Sequence, residues 1–167
     1  EHLEKLGLLK MDFLGLRNLD VIDSAVKIIR AGEQPDFDIE TIPLDDAETY
    51  RMLAKGDSEG VFQFESSGMR EALRDIQPTL FDDLIALVAL YRPGPMDYIP
   101  VYAKNKRDPS QIRFDDPRLE PIVGPTYGVA IYQEQLMEIS KVVGGFTPAQ
   151  ADDLRKAIGK KIKEKMD

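Results

Sequence analysis

A lysine and an aspartate stand two residues apart near the start of the chain, at Lys10 and Asp12. The stretch 10–16 is predicted to form a buried strand, and side chains alternate between the two faces of a strand. Lys10 and Asp12 then share one face, while Met11 and Phe13 lie on the opposite, apolar face. A carboxylate on a rigid element is a suitable ligand for Mg²⁺, and a lysine beside it can meet a phosphate. A half-exposed strand whose polar face contacts only water explains the same spacing, so both interpretations stand.

Composition excludes several classes of site. The chain has 167 residues, 43% of them hydrophobic and 31% charged, as in an ordinary globular protein with one core. It has no cysteine, which excludes disulfides and thiolate metal sites, and its only histidine is His2, which argues against a Ser-His-Asp site. No apolar run is long enough to span a membrane and no signal-peptide pattern is present. We therefore predict a cytoplasmic protein without a membrane-spanning segment.

Charge is distributed unevenly along the chain. The net charge is −8, which argues against a protein that coats nucleic acid with its whole surface. Residues 155–167 carry six cations and two anions, whereas residues 31–60 carry nine carboxylates against Arg51 and Lys55. The basic end indicates either a solvated face or a phosphate contact. The acidic stretch 31–60 is a candidate surface for protein partners.

Hydrophobic spacing predicts a mainly helical chain. Apolar residues at helical intervals indicate a helix over 17–31, which Gly32 ends. The alternating stretch 60–65 indicates a second short strand, and the apolar helix 81–91 is expected at the centre of the core. The fold class that follows is mainly α with a few short β-strands (α+β). Further helices are predicted over 45–55, 66–77, 97–107 and 132–143, with Asp45 and Ser66 as the caps of the first two. A last helix begins with Thr147 as its cap, Pro148 at its first position and Gln150 at its third, and carries Ile158 on its apolar stripe.

Several motifs are far more specific together, in their order and spacing, than any one of them alone. The motifs are KMDFLGLR at 10–17, IPLDD at 42–46, GVFQFES at 60–66, IALVALYRPGPM at 85–96, TYG at 126–128, YQEQ at 132–135 and LRKAIGKK at 154–161. Together they resemble the alpha subunits of bacterial DNA polymerase III, the C-family replicative DNA polymerases. The resemblance covers essentially the whole chain and implies a helical fingers region, residues 17–167, attached to a remnant of the palm sheet, residues 1–16.

The resemblance implies a catalytic site that this chain holds only in part. Family members use three palm aspartates to bind two Mg²⁺ ions, which activate the attacking oxygen and stabilise the leaving one. Asp12 corresponds to the third aspartate and is the candidate catalytic and metal-binding residue, with Lys10 near the incoming triphosphate. The other two come from a motif upstream of the palm strand. The similar-looking stretch 35–40 follows that strand instead, so we interpret it as an acidic surface connection.

The resemblance also implies nucleotide-binding cations on the fingers. It directs the helix from Pro148 onward at the triphosphate, with Arg155 and Lys156 in contact with it. The usual family motif has two consecutive arginines here, and a lysine cannot fork onto two phosphate oxygens as an arginine does. Arg92, before Pro93-Gly94-Pro95, either faces the nucleotide or DNA, or stabilises the C-terminus of the helix that precedes it.

Partners and activity follow from the same resemblance. The parent is implied to be a DNA-directed DNA polymerase that binds primer-template DNA and deoxynucleoside triphosphates. A sliding clamp and other replisome subunits are expected to contact regions outside this chain. With one metal-binding aspartate of three, the isolated chain is expected to be inactive. The alternative from a different class is a non-catalytic protein-interaction domain that uses its acidic face at 31–60.

Overall fold

The structure is a computed structural model that describes residues 6–9 and 11–159. The chain divides into two compact units, the first ending at Pro43 and the second beginning at Leu44. No helix among the described residues has the length and apolar character needed to cross a membrane.

The predicted α+β class with a palm-sheet remnant is wrong, because residues 6–9 and 11–159 form helices and turns and contain no strand. Residues 11–16 have no regular secondary structure, and Phe13 and Leu14 are 89% and 96% exposed. A strand requires a neighbouring strand to bind its N–H and C=O groups, and the alternating pattern does not supply one.

The second predicted strand, 60–65, is a compact turn. Gln63 has a φ of 67°, in the left-handed region, and the Phe64 N–H donates to the Val61 carbonyl at 3.0 Å. The buried hydroxyl of Ser58 donates to the Phe64 carbonyl at 2.5 Å and closes the turn. Phe64 is buried and Phe62 is exposed, so the two aromatic residues of this stretch point in different directions without forming a strand.

The first unit is built around one helix, α1, which spans Arg17–Ala31 as predicted. The backbone N–H of Gly32 donates to the Ile29 carbonyl at its end. Only Val26 of this helix is buried. A 3₁₀-helix follows at Ile39–Thr41, and the Asp38 carboxylate caps it by accepting from the Glu40 N–H at 3.1 Å.

The second unit contains seven further α-helices among the described residues. Side-chain caps start several of them: the Asp46 carboxylate accepts from the Thr49 N–H at 2.8 Å, and the Ser66 hydroxyl accepts from the Met69 N–H at 3.2 Å. The sequence pattern placed the first of these caps one residue early, at Asp45. The helices are α2 (Ala47–Ala54), α3 (Ser67–Ile76), α4 (Phe81–Leu90), α5 (Ile99–Arg107), α6 (Glu120–Val123), α7 (Gln133–Val142) and α8 (Pro148–Gly159).

Helices α3, α4 and α5 enclose the main core. Leu73 of α3, Leu87 of α4 and Tyr102 of α5 are each at most 1% exposed. The prediction that α4 lies in the core is confirmed, although its outer face keeps Ile85 and Val88 44% and 38% exposed. An apolar helix in a small unit has too few neighbours to cover its whole circumference.

A buried carboxylate joins these three helices. Asp83, fully buried in the first turn of α4, accepts hydrogen bonds from the backbone N–H groups of Thr79 and Leu80 at 2.8 and 3.2 Å. The Tyr102 hydroxyl of α5 donates to it at 3.2 Å, and the Lys106 ammonium lies 2.9 Å from it. Burial, followed by the charge of Asp83, raises the pKa of Tyr102, so its hydroxyl remains a proton donor. We call Asp83, Thr79, Tyr102 and Lys106 the Asp83 cluster.

Lys106 extends this cluster to the end of α3. Its ammonium donates to the carbonyls of Ile76 and Gln77, at the C-terminus of that helix. Its side chain is only 10% exposed, so the positive charge depends on protein groups for its solvation. The buried pair therefore holds the start of α4, the end of α3 and the last turn of α5 in one arrangement.

Replacing Asp83 by alanine is expected to lower the free energy of unfolding by about 3–5 kcal/mol, because it leaves the buried Lys106 ammonium without a counter-ion. Asp82→Ala is the matched control: Asp82 is exposed in the same helical turn and should cost less than about 1 kcal/mol. Urea unfolding of the purified variants measures both values. Equal losses for the two variants would show that the Asp83 cluster does not organise the fold.

Candidate functional site

A cavity of about 670 Å³ lies in the second unit, between the turn that follows α4 and helices α7 and α8. Two of the cations singled out from the sequence, Arg92 and Arg155, line it together. We call it the arginine pocket. Asp97 is the one carboxylate among the lining residues that the structure describes, and together with Arg92 and Arg155 it gives this part of the wall a net positive charge. The remaining wall is formed by Pro93, Gly94, Pro95, Tyr98, Ala130, Ile131, Gln133, Leu136, Ile158 and Gly159.

The Arg92 turn is held by short-range hydrogen bonds and one left-handed glycine. The Arg92 N–H donates to the Leu90 carbonyl at 2.7 Å, and the Arg92 carbonyl accepts from the Met96 N–H at 3.1 Å. Gly94 has a φ of 97°, which a residue with a side chain rarely adopts. The 3₁₀-helix Pro95–Tyr98 continues directly into α5. The turn is therefore anchored on both sides by helices of the core.

Close packing between α3 and the residue before Arg92 fixes where the turn begins. Tyr91 ends α4, and its ring is half-buried against the core. Its hydroxyl lies over Gly68 of α3, where a Cβ atom would collide with it. Any side chain at this glycine would therefore displace the Tyr91 ring from its present position.

Helix α8 begins with the capping box that the sequence predicts. The Gln150 side-chain oxygen accepts from the Thr147 N–H at 2.9 Å, and the Thr147 hydroxyl accepts from the Gln150 N–H at 3.3 Å. Ala151 and Ala157 are each 1% exposed, and these small side chains let α8 pack closely on α7. Ile158, predicted on the apolar stripe of the helix, lines the arginine pocket and is 39% exposed.

Arg155 is held by residues of two helices. Its Nε and Nη2 atoms each lie 2.9 Å from Oδ1 of Asp152, one turn earlier on α8. Its Nη1 atom donates to the side-chain oxygen of Gln133, at the start of α7, at 3.2 Å. The Arg155 side chain is 33% exposed, so it is held by these contacts and still partly accessible to a ligand.

Lys156 occupies a different environment. Its ammonium lies 2.7 Å from Oδ2 of Asp152 and 4.0 Å from Oδ1 of Asp153, its side chain is 54% exposed, and it does not line the arginine pocket. Hydrogen bonds from Lys156 and then Arg155 hold the pKa of Asp152 below its usual value, while the bond to Asp152 raises the pKa of Lys156. Asp152 and Lys156 are therefore both ionised at neutral pH.

A buried amide that the sequence analysis did not single out supports one wall of the pocket, because it binds the backbone of the lining residue Ile131. Gln135 is 8% exposed, and its side-chain oxygen accepts from the N–H groups of Ile131 and Tyr132 at 2.8 and 3.0 Å. Its amide nitrogen donates to the Ile122 carbonyl at 3.1 Å and to the Thr126 hydroxyl at 2.7 Å. The sequence did carry a signal for this amide. Gln135 is the third residue of α7, and a glutamine at that position can bind the backbone N–H of the residue before the helix, as in half of a capping box.

The remaining candidates lie in or near the first unit. Asp12 stands in the exposed, irregular segment 11–16, and Lys10 lies outside the described residues. Asp38, within the acidic stretch 35–40, caps a 3₁₀-helix, which gives one carboxylate of that stretch a structural role. Within residues 6–9 and 11–159, no group of three or more His, Cys, Asp or Glu side chains could hold a metal ion.

Comparison with known proteins matches residues 18–167 to the family described as the bacterial DNA polymerase III alpha subunit finger domain. The chain is 50% identical over 164 residues to DNA polymerase III subunit alpha of Borreliella burgdorferi, covering 98% of the chain and 14% of that protein. The same subunit of Halalkalibacterium halodurans is 49% identical over 161 residues, covering 96% of the chain and 14% of that protein. That of Staphylococcus aureus is 46% identical over 158 residues, covering 95% and 15%. The chain thus spans about one seventh of each of these relatives.

Replacing Gln135 by methionine, which is similar in length and has no amide, should destabilise the wall of the arginine pocket. The change leaves the buried N–H of Ile131 without its acceptor and the Thr126 hydroxyl oxygen without the donor that it binds. The expected cost is about 2–4 kcal/mol in the free energy of unfolding. Gln133→Met, at an exposed position on the same helix, should cost less than about 1 kcal/mol. Urea unfolding monitored by circular dichroism measures both, and a cost for Gln135→Met as small as for Gln133→Met would contradict a role for this amide.

Proposed function

The chain belongs to the finger-domain family of bacterial DNA polymerase III alpha subunits, and from this membership we propose that it supplies the nucleotide-facing part of a template-directed DNA polymerase. The proposed substrates of the complete enzyme are primer-template DNA and deoxynucleoside triphosphates. One observation carries the proposal at the level of residues: Arg92 and Arg155, far apart in the sequence, line the same cavity.

The size and charge of the arginine pocket support an anionic small molecule as ligand. Its volume of about 670 Å³ lies within the range of roughly 300–1,000 Å³ of small-molecule sites. Two guanidinium groups can each bind a phosphate through paired N–H donors, which a lysine cannot do. The exposed ring of Tyr98 and the apolar side chains of Ile131 and Leu136 offer surface for the remainder of a nucleotide.

In this proposal the two cations of α8 have unequal roles. Arg155 contacts the triphosphate directly, because it lines the pocket and its side chain is partly exposed. Lys156 lies outside the lining and acts on the phosphates at longer range through its charge. Arg92 faces the nucleotide instead of acting only at the end of α4. Lys10 is retained as a triphosphate-facing residue on the resemblance alone.

The described residues do not by themselves fit a site for two magnesium ions, since no group of carboxylates comes together among them. We propose that Asp12 contributes one ligand in the complete polymerase and that other segments contribute the remainder. The isolated chain is accordingly expected to be inactive. The division into a palm segment, 1–16, and a fingers region, 17–167, also stands as a proposal, as do a cytoplasmic location and contacts with a sliding clamp and replisome subunits outside this chain.

The alternative of a protein-interaction domain with an acidic face loses its main support. The family match includes the whole acidic stretch 31–60, so that stretch is part of a finger domain. Within it, Asp38 and Asp46 cap helices, and Glu48 lies 2.6 Å from Arg51. Local structure thus accounts for several of the carboxylates without a partner protein.

Replacing Arg155 by alanine in the complete polymerase should weaken the use of the incoming nucleotide. A lost charge-assisted contact costs about 1.5–3 kcal/mol, which corresponds to a roughly tenfold to hundredfold higher KM for the nucleotide. Lys156→Ala should raise the KM less, because Lys156 does not line the arginine pocket. Single-nucleotide incorporation gives the KM, and primer-template affinity is measured in parallel.

Lys104→Ala serves as the control for this experiment, since Lys104 is an exposed cation on α5 that does not line the arginine pocket. If Arg155→Ala lowers DNA affinity and leaves the nucleotide KM unchanged, Arg155 binds the DNA backbone and the assignment is wrong. If neither quantity changes, the basic end of the chain is a solvated face.

Replacing Asp12 by alanine in the complete polymerase should lower the turnover rate by several orders of magnitude while DNA affinity changes little, because a metal ligand acts in the transition state. Asp36→Ala is the matched control, an exposed carboxylate in the acidic stretch 35–40, and should leave turnover near normal. Near-normal turnover of the Asp12 variant would show that this residue is a surface carboxylate only.

A further inference from the structure

We propose that Asp152 is a positioning residue for nucleotide binding: from outside the arginine pocket it holds the Arg155 guanidinium in the orientation that meets a phosphate. This inference rests on the proposed function and adds to it a residue whose own side chain does not touch the ligand. Asp152 is half-buried on α8 and is absent from the lining of the pocket, whereas Arg155 lines it.

The contacts divide the Arg155 guanidinium into an anchored edge and an open edge. Nε and Nη2 each lie 2.9 Å from one carboxylate oxygen of Asp152, and these two contacts fix the plane of the guanidinium. Nη1 donates to the side-chain oxygen of Gln133, itself a lining residue, at 3.2 Å. A guanidinium carries five N–H donors, so these contacts leave two of them for a ligand.

The second oxygen of the Asp152 carboxylate serves the neighbouring cation. Oδ2 lies 2.7 Å from the Lys156 ammonium, so one carboxylate holds both cations of the motif at once. These hydrogen bonds keep the carboxylate ionised at neutral pH. Asp152, Arg155 and Lys156 together carry a net positive charge, which leaves the group attractive to a phosphate.

A competing role for Asp152 is to occupy Arg155 until a phosphate displaces it. The geometry favours positioning, because Asp152, which does not line the pocket, binds the edge of Arg155 that includes Nε. Gln133, which does line the pocket, binds the Nη1 side, and the N–H groups left for a ligand lie there. A long, flexible side chain that is already ordered loses less entropy when a ligand binds. Removing the anchor should therefore weaken binding even though it removes a negative charge.

The test uses the complete polymerase with Asp152→Ala, Asp152→Asn and, as the matched control, Asp153→Ala. Asp153 is the next residue on the same helix, is 75% exposed and makes no contact with Arg155. Asp152→Ala should raise the KM for the incoming deoxynucleoside triphosphate about threefold to tenfold, the range set by ordering one flexible side chain, and change kcat less than about twofold. Asp152→Asn retains an acceptor for Nε, so its KM should rise less than that of Asp152→Ala. This second variant still tests the proposal if the alanine variant fails to fold.

A double variant shows whether Asp152 acts through Arg155. In an Arg155→Ala background, adding Asp152→Ala should leave the KM within about twofold of the single Arg155 variant, because the group to be positioned is gone. A full additional rise there would overturn the proposal. An unchanged or lower KM for Asp152→Ala alone, with a raised KM for Arg155→Ala, would also overturn it and leave the proposed function intact. An unchanged KM for Arg155→Ala would overturn the proposed function and this inference together.

Discussion

The buried carboxylate of Asp83 constrains the second unit more than any other single group. A charge removed from water must be solvated by the protein, and here two backbone N–H groups, the Tyr102 hydroxyl and the Lys106 ammonium provide that solvation. These donors lie in the segment before α4 and on α5, and Lys106 also donates to the carbonyls at the end of α3, so the carboxylate links the placement of all three helices. Such a pair adds little net stability over an apolar core, but it fixes the relative placement of the helices.

The placement of α4 also sets the position of one side of the arginine pocket, because Arg92 lies two residues after the end of that helix. Asp83 fixes the start of α4, and Tyr91 ends the helix against Gly68 of α3. Arg92 follows directly, in a turn that Gly94 makes possible. The buried amide of Gln135 joins Ile122 and Thr126 to the start of α7. Gln133, at that same start, accepts a hydrogen bond from Arg155 of α8, so the segment that Gln135 stabilises also contacts the second arginine.

The local elements that depend on neighbouring residues were predictable from the sequence. Helix α1 has the predicted bounds, because one apolar stripe and a terminating glycine define it without reference to the remainder of the fold. The caps at Ser66 and Thr147 were equally readable, since a cap uses a side chain and backbone groups within one turn. The family was identifiable too, because its motifs occur in a specific order and spacing, and residues 18–167 match the finger-domain model.

The tertiary structure decided what depends on distant partners. Alternation of side chains predicted two strands, but a strand exists only beside another strand, and the described residues provide none. Gln135 was hidden because its four hydrogen-bond partners lie on three separate segments. The family, most of the helices and the set of candidate cations could be predicted from the sequence, whereas the short helix α6 was not predicted. Only the packing of α4, α7 and α8 decided that Arg92 and Arg155 share a pocket while Lys156 lies outside its lining, because the meeting of side chains depends on helix placement and not on spacing along the chain.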